Sequence, residues 1–129
     1  MTLAVLDASA LLALLLDEPG AGNVAEVLRD AAISAVNLAE VVGIYARRGI
    51  PESEIRTMLH LFWIQVVRFD EALAFAAGSL EPATRPAGLS LGDRACLALA
   101  LDLGVKALTA DRAWTRIAEA VGVEVEVIR

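Results

Sequence analysis

The sequence predicts an α/β protein with a five-stranded parallel sheet flanked by helices on both faces. Three observations carry this. Short apolar runs recur along the chain, helical stretches separate them, and glycines or prolines punctuate most junctions. Strands that alternate with helices pair in parallel, because each crossover lays a helix on one face of the sheet.

Leu3 to Asp7 reads as a short buried strand, and the helical run from Ala8 to about Leu16 stops at Asp17-Glu18-Pro19-Gly20. A second helix, from about Ala21 to Ala31, precedes a four-residue strand, Ala32 to Ala35. The third helix spans about Asn37 to Arg48 and is closed by Gly49. Pro51 opens the next helix, which runs to about Phe62, and Ile64 to Phe69 has the β-branched alternation of a strand. Helix follows from Asp70 to about Leu80. Two prolines and Gly88 make Glu81 to Leu89 a loop, after which Ser90 caps an apolar helix to Leu103, ended by Gly104. Val105 to Thr109 is a strand, Asp111 to Val121 a helix ended by Gly122, and Val123 to Ile128 alternates Val with Glu as an edge strand does.

At 129 residues and without a linker, repeat or low-complexity segment, residues 1–129 are expected to form one domain. The hydrophobic fraction of 57% is broken by charged residues, Gly or Pro before any run reaches the ~20 residues of a membrane span, and the N-terminus lacks a basic n-region with a cleavage site. A cytoplasmic protein is expected. Cys96 has no partner for an intramolecular disulfide and reads as a buried small hydrophobe. The net charge of −6 opposes nucleic-acid binding by attraction alone, but two divalent cations held by acids would bring it to −2, and the remaining cations are mainly Arg.

Asp7, Glu40, Asp93 and Asp111 stand out by position. Singly, each has a local explanation: Asp7 and Asp111 as N-caps, and Glu40 and Asp93 as the acids of capping boxes with Asn37 and Ser90. Jointly they share one edge. Right-handed crossovers put the C-terminal ends of all strands on a single crest, where the following helices begin. Asp7 and Asp111 end the first and fourth strands, while Glu40 and Asp93 lie in the opening turns of helices that start there. Two carboxylates ~5 Å apart repel by roughly 3 kcal/mol at an effective dielectric of 20, so a group of four calls for a cation. Oxygen ligands without His or Cys suit Mg²⁺ or Mn²⁺ rather than zinc. His60, the sole histidine, belongs to no triad.

Four blocks of sequence carry a resemblance: Val5-Leu6-Asp7-Ala8-Ser9-Ala10-Leu11-Leu12, Asn37-Leu38-Ala39-Glu40-Val41, Gly88-Leu89-Ser90-Leu91-Gly92-Asp93-Arg94-Ala95, and Leu108-Thr109-Ala110-Asp111-Arg112-Ala113-Trp114. In this order and spacing the chain resembles the PIN-domain family, in particular the VapC-type toxins of toxin–antitoxin pairs. The resemblance implies a PIN-like fold with sheet order 3-2-1-4-5, which places Asp7 and Asp111 on adjacent strands. It also implies metal-dependent endoribonuclease activity, with Asp7 and Asp93 as core ligands and Glu40 and Asp111 completing the site directly or through water. RNA as substrate, a cognate antitoxin and a homodimer are the partners it implies. Ser9 and Thr109, each two residues from a proposed ligand, are candidates to orient a carboxylate, or they bond only locally. Arg94, Arg112 and Arg116 are candidates for substrate phosphates, or are plain surface charges.

Three other readings stay open from the sequence. A non-catalytic binding module of the same fold would use the acids only as caps. A housekeeping RNA-processing nuclease would share the active site. A haloacid-dehalogenase-type phosphotransferase also opens with a strand ending in Asp, but it needs a second Asp where this chain has Ser9. A last expectation concerns the third and fourth helices, where Ile44, Tyr45, Ile55, Met58, Leu59, Phe62 and Trp63 exceed what packing on the sheet needs. Part of that surface is expected to be exposed and to take an amphipathic antitoxin helix that carries an Arg or Lys toward the acids.

Overall fold

The computed structural model describes residues 1–129. Five strands, β1 (Ala4–Leu6), β2 (Ala31–Ser34), β3 (Gln65–Val67), β4 (Lys106–Thr109) and β5 (Val125–Val127), form one sheet. Its order is β3-β2-β1-β4-β5 and every pairing is parallel. The expected α/β architecture and strand order are therefore present. Around it lie α1 (Ala8–Leu15), α2 (Ala21–Val27), α3 (Ala35–Arg47), α4 (Glu52–His60), α5 (Glu71–Ser79), α6 (Glu81–Thr84), α7 (Leu91–Leu103) and α8 (Ala118–Val121).

The two-residue period of the strands divides the core between the faces of the sheet. Ala4 and Leu6 of β1, with Ile33 and Leu108, pack against α1 to α4, whereas Val5 and Ala107 face the opposite cluster built from α5, α7 and the segment around Trp114. Central β1 is buried at all three positions, and edge strand β5 at none. On that edge Lys106 pairs with Glu126 at 2.8 Å, which gives the Val-Glu alternation a polar side. No helix is long and apolar enough to cross a membrane.

Four expectations need correction. Residues 81–89, expected as a loop, contain α6 and a 3₁₀ turn, Arg85–Ala87, before Gly88 turns at φ 70. Pro82 and Pro86 each occupy a first turn, where a missing N–H costs no helical bond. The expected helix from Asp111 to Val121 is a 3₁₀ turn, Arg112–Arg116, followed by α8. The second helix ends at Val27 and gives way to a 3₁₀ turn, Leu28–Asp30. The third begins two residues early, because Ser34 accepts from the Val36 amide and takes the cap role expected of Asn37. Asn37 therefore lies inside α3, and the capping box expected for Asn37 and Glu40 is absent.

Candidate active site

The crest at the C-terminal ends of β1 and β4 is organised around Asp7. It is the N-cap of α1, in extended backbone, and its own amide donates to the Leu108 carbonyl at 3.1 Å, extending the β1–β4 ladder by one bond. Asp7 is only 4% exposed. Its Oδ1 accepts from Ser9 Oγ at 2.7 Å and from the Ala10 amide at 2.9 Å, and its Oδ2 accepts from Thr109 Oγ1 at 2.7 Å. Burial pushes the Asp7 carboxyl up to about 6, against the pull of these donors, and the negative charge of Asp93 adds to the rise.

Ser9 and Thr109 form a cross-tie between the first and fourth strands. Ser9 Oγ also accepts from the Ala110 amide at 2.9 Å, and Thr109 Oγ1 accepts from the Asp111 amide at 3.0 Å. Both hydroxyls thus donate to Asp7 while receiving a backbone N–H from the chain that follows β4. This fixes the carboxylate's two oxygens and joins the Asp111 turn to them.

Asp93 and Asp111 are half-buried and exposed, respectively. Ser90 and Asp93 make the capping box read from the sequence: Ser90 Oγ accepts from the Asp93 amide at 3.2 Å, and Asp93 Oδ2 accepts from the Ser90 amide at 2.8 Å. Asp111 Oδ1 accepts from the Ala113 amide at 2.9 Å. Glu40 is an exposed residue, yet its carboxylate lies over the backbone of Gly92, and Asn37 Nδ2 donates to its Oε1 at 2.8 Å.

The buried Cys96 thiol is raised by burial first, and then by the charges of Asp7, Asp93 and Glu40. Those three acids therefore act on one region beneath the first turns of α7. Asp111 is tied to Asp7 only through its backbone amide, which donates to Thr109 Oγ1, while its carboxylate caps the turn that follows. None of the four is paired with a Lys or Arg. Oxygen donors without a neutralising partner fit a hard divalent cation. As the side chains stand, however, no three of the acidic, His or Cys groups are gathered into a ready-made cage. Asp93 and Asp111 each commit one oxygen to a cap, which leaves the other free.

The arginines divide. Arg94 Nη1 donates to the Ala77 carbonyl at 3.4 Å, which ties this side chain to α5. Arg112 Nε donates to the Arg129 carbonyl at 3.2 Å, and Arg116 is exposed. His60 is also exposed.

Sequence reasoning missed the contacts that Asn37 makes with Glu40 and Gly92. This side chain is 1% exposed, and its Nδ2 also donates to the Gly92 carbonyl at 2.9 Å, whereas its Oδ1 is buried without a donor. An orphaned buried oxygen costs about 1–3 kcal/mol. The spacing of Asn37 and Glu40, one helical turn apart, was the only available signal, and a capping box explains that spacing equally well.

A second feature lies between α3 and α4. Leu38, Val42, Ile55, Leu59, Trp63 and Ile64 line an apolar groove, with Glu52, Arg56 and His60 on its rim. Tyr45 and Ile55, expected on this surface, are core residues at 5% and 2% exposure. Ile44, Met58 and Phe62 are half-buried and do not line the groove, whereas Trp63 is 86% exposed.

The strand order, the acidic crest and the helices on both faces define an α/β protein of PIN-like fold. The family profile of the PIN domain matches residues 4–120, and the chain belongs to that family. Among solved structures, the chain is similar to a toxin–antitoxin complex from Klebsiella pneumoniae, with TM-score 0.71 and 22% identity over 98% of each chain. It is also similar to DNA-bound VapBC from Salmonella typhimurium, with TM-score 0.71 and 19% identity over 98% of each chain. FitAcB from Neisseria gonorrhoeae matches with TM-score 0.66 and 22% identity over 95% of this chain and 96% of that one. At these identities the likeness carries the fold. No curated protein sequence matches.

Proposed function

We propose that this protein is a divalent-metal-dependent endoribonuclease and the toxin of a toxin–antitoxin pair. The observation that carries the reading is Asp7, a buried carboxylate with three donors and no cation, held at the crest beside Asp93. Asp7, Glu40 and Asp93 would hold Mg²⁺ or Mn²⁺, and Asp111 would close the site from the β4 side. When bound, such an ion lowers the pKa of an adjacent water and offsets the negative charge of the phosphate. Ser9 and Thr109 orient Asp7 by donating to both of its oxygens. Of Arg94, Arg112 and Arg116, exposed Arg116 alone makes no internal hydrogen bond, so it is the one of the three left free to meet RNA phosphates. The toxin assignment draws on the PIN family, on structural likenesses solved as antitoxin complexes, and on the groove between α3 and α4. It includes one domain over residues 1–129, a homodimer and action in the cytoplasm.

Two measurements test the metal and the chemistry. Mn²⁺ at ~100 times its dissociation constant adds about 2.7 kcal/mol to a protein that binds it only when folded, so Tm should rise by several degrees. A water nucleophile leaves 5′-phosphate and 3′-hydroxyl ends on cleaved RNA, with purified Asp93→Asn protein as the control for contaminating ribonucleases. A 2′,3′-cyclic phosphate that is absent from the control reaction would exclude the mechanism.

The binding-module reading has an observation in its favour: Asp7, Asp93 and Asp111 all make helix-cap hydrogen bonds. Caps alone take up no Mn²⁺. Isothermal titration that detects no binding, together with an unshifted Tm, would select that reading over the nuclease.

A further inference from the structure

Gly92 poses a question that its backbone does not answer. It lies inside α7 and is not among the glycines of positive φ, so its conformation is one that any residue adopts. Alanine would favour the helix there. What excludes a side chain is Glu40: a Cβ on Gly92 would lie 2.5 Å from Glu40 Oε1 and 2.6 Å from Oε2. The carboxylate occupies the space that the missing side chain leaves.

Asn37 closes this seat from the other side. Its Nδ2 is shared between Glu40 Oε1 at 2.8 Å and the Gly92 carbonyl at 2.9 Å. Rotating the amide by half a turn would set its oxygen against two acceptors, so the orientation is fixed by chemistry. The buried Oδ1 goes without a donor as the consequence. We infer that Gly92 and Asn37 form a dedicated seat that fixes the Glu40 carboxylate beside Asp93, with Asn37 as a positioning residue that acts through Glu40. The inference rests on the metal-nuclease reading of the site. Glu40 is on α3 and Asp93 on α7, and an exposed glutamate would otherwise sample many rotamers. The seat removes that freedom before metal or RNA arrives.

The test uses the full chain and a double-mutant cycle read by Mn²⁺ titration calorimetry, thermal melts and RNA cleavage. In Gly92→Ala the obstacle is the far end of a flexible side chain, so Glu40 should swing out and the protein should melt at or above the parent temperature. Its Mn²⁺ affinity should nevertheless fall by about 10-fold or more, the scale at which groups that orient ligands act. Asn37→Ala should weaken Mn²⁺ binding similarly. Neither substitution should cost further affinity in a Glu40→Ala background. A merely structural role would not produce that dependence. Parent-like Mn²⁺ binding and cleavage in Gly92→Ala would overturn the seat, as would equal losses with and without Glu40. A Gly92→Ala protein that melts well below the parent would overturn it too, because something less movable than Glu40 would then fill the space. Asp7→Asn separates this failure from that of the underlying reading. If Asp7→Asn also leaves Mn²⁺ binding intact, the metal site is wrong; if it abolishes binding while Gly92→Ala does not, only the seat is wrong.

Discussion

Asp7→Asn should abolish RNA cleavage and, in metal-free buffer at pH 8, should melt above the parent protein. The two effects have one cause. Burial raises the Asp7 carboxyl from 3.8 to about 6, so the fold disfavours the charged form. An acid whose folded pKa lies above its unfolded value holds its proton more tightly in the native state. Stability is therefore greatest below the unfolded value, declines as pH rises from about 4 to about 6, and is flat beyond. A shift of about two units is worth about 3 kcal/mol, an order-of-magnitude figure for a buried group. Asparagine removes that penalty and keeps most of the hydrogen bonds. Its oxygen can accept from Ser9 and Ala10, and Thr109 can turn its hydroxyl toward Ser9, 3.4 Å away, while accepting the new amide. The expected gain is a few degrees to about 10 °C at pH 8, vanishing below pH 4. Mn²⁺ should reverse the order by stabilising the parent alone, and the loss of cleavage should exceed the ~10–100-fold that outer positions cost. Melts from pH 3.5 to 8, with and without Mn²⁺, check this. A metal-free variant that melts clearly lower at pH 8 would mean that Asp7 is chiefly a helix cap.

That dual character explains how much was legible beforehand. The crest could be read because strand ends and helix starts are local signals, and topology then gathers them on one edge: Asp7, Asp93 and Asp111 are all observed caps, and all lie there. Parallel strand pairing followed from the alternation of elements. The seat of Glu40 could not be read. It depends on α3 starting at Ala35 rather than Asn37, a shift of two residues decided by Ser34, and on which residue of α7 comes to lie under the carboxylate. Boundaries shift easily between nearby residues able to cap. A helical glycine such as Gly92 carries no signal by itself, since its meaning lies in a neighbour 52 positions away in sequence. Pro82 and Pro86 misled for a related reason: proline breaks helix interiors but begins helices well. On α3 and α4, composition showed an excess of apolar surface without assigning it, and only packing separates the buried Tyr45 and Ile55 from the exposed Trp63.

Replacing Trp63 by glycine should leave the fold as stable or more stable and, if the proposed antitoxin helix lies in the groove, should sharply weaken its binding. Trp63 holds φ at 56, left-handed backbone that an L-residue adopts at a cost on the order of 1 kcal/mol. Glycine relieves that strain, although the freedom it adds to the unfolded chain offsets part of the gain. Little folding energy is lost with the indole, because the residue is 86% exposed. A large aromatic kept in the open, on strained backbone, at the edge of an apolar groove has the character of a binding anchor. An amphipathic antitoxin helix lying between α3 and α4 would cover it along with Leu59 and Val42, with its polar side toward Glu52 and Arg56. Truncating such an anchor costs 2 kcal/mol or more, roughly 30-fold in affinity. Co-expression with the adjacent reading frame should therefore yield a copurifying complex for the parent and a much weaker one for Trp63→Gly. Met58 and Phe62 are poor choices for this purpose. Both are half-buried outside the groove, and Met58 packs on the core, so a charge there would test folding instead of binding. A Trp63→Gly protein of unchanged Tm that holds the partner as tightly as the parent would place the antitoxin on another face, and would leave the metal site untouched.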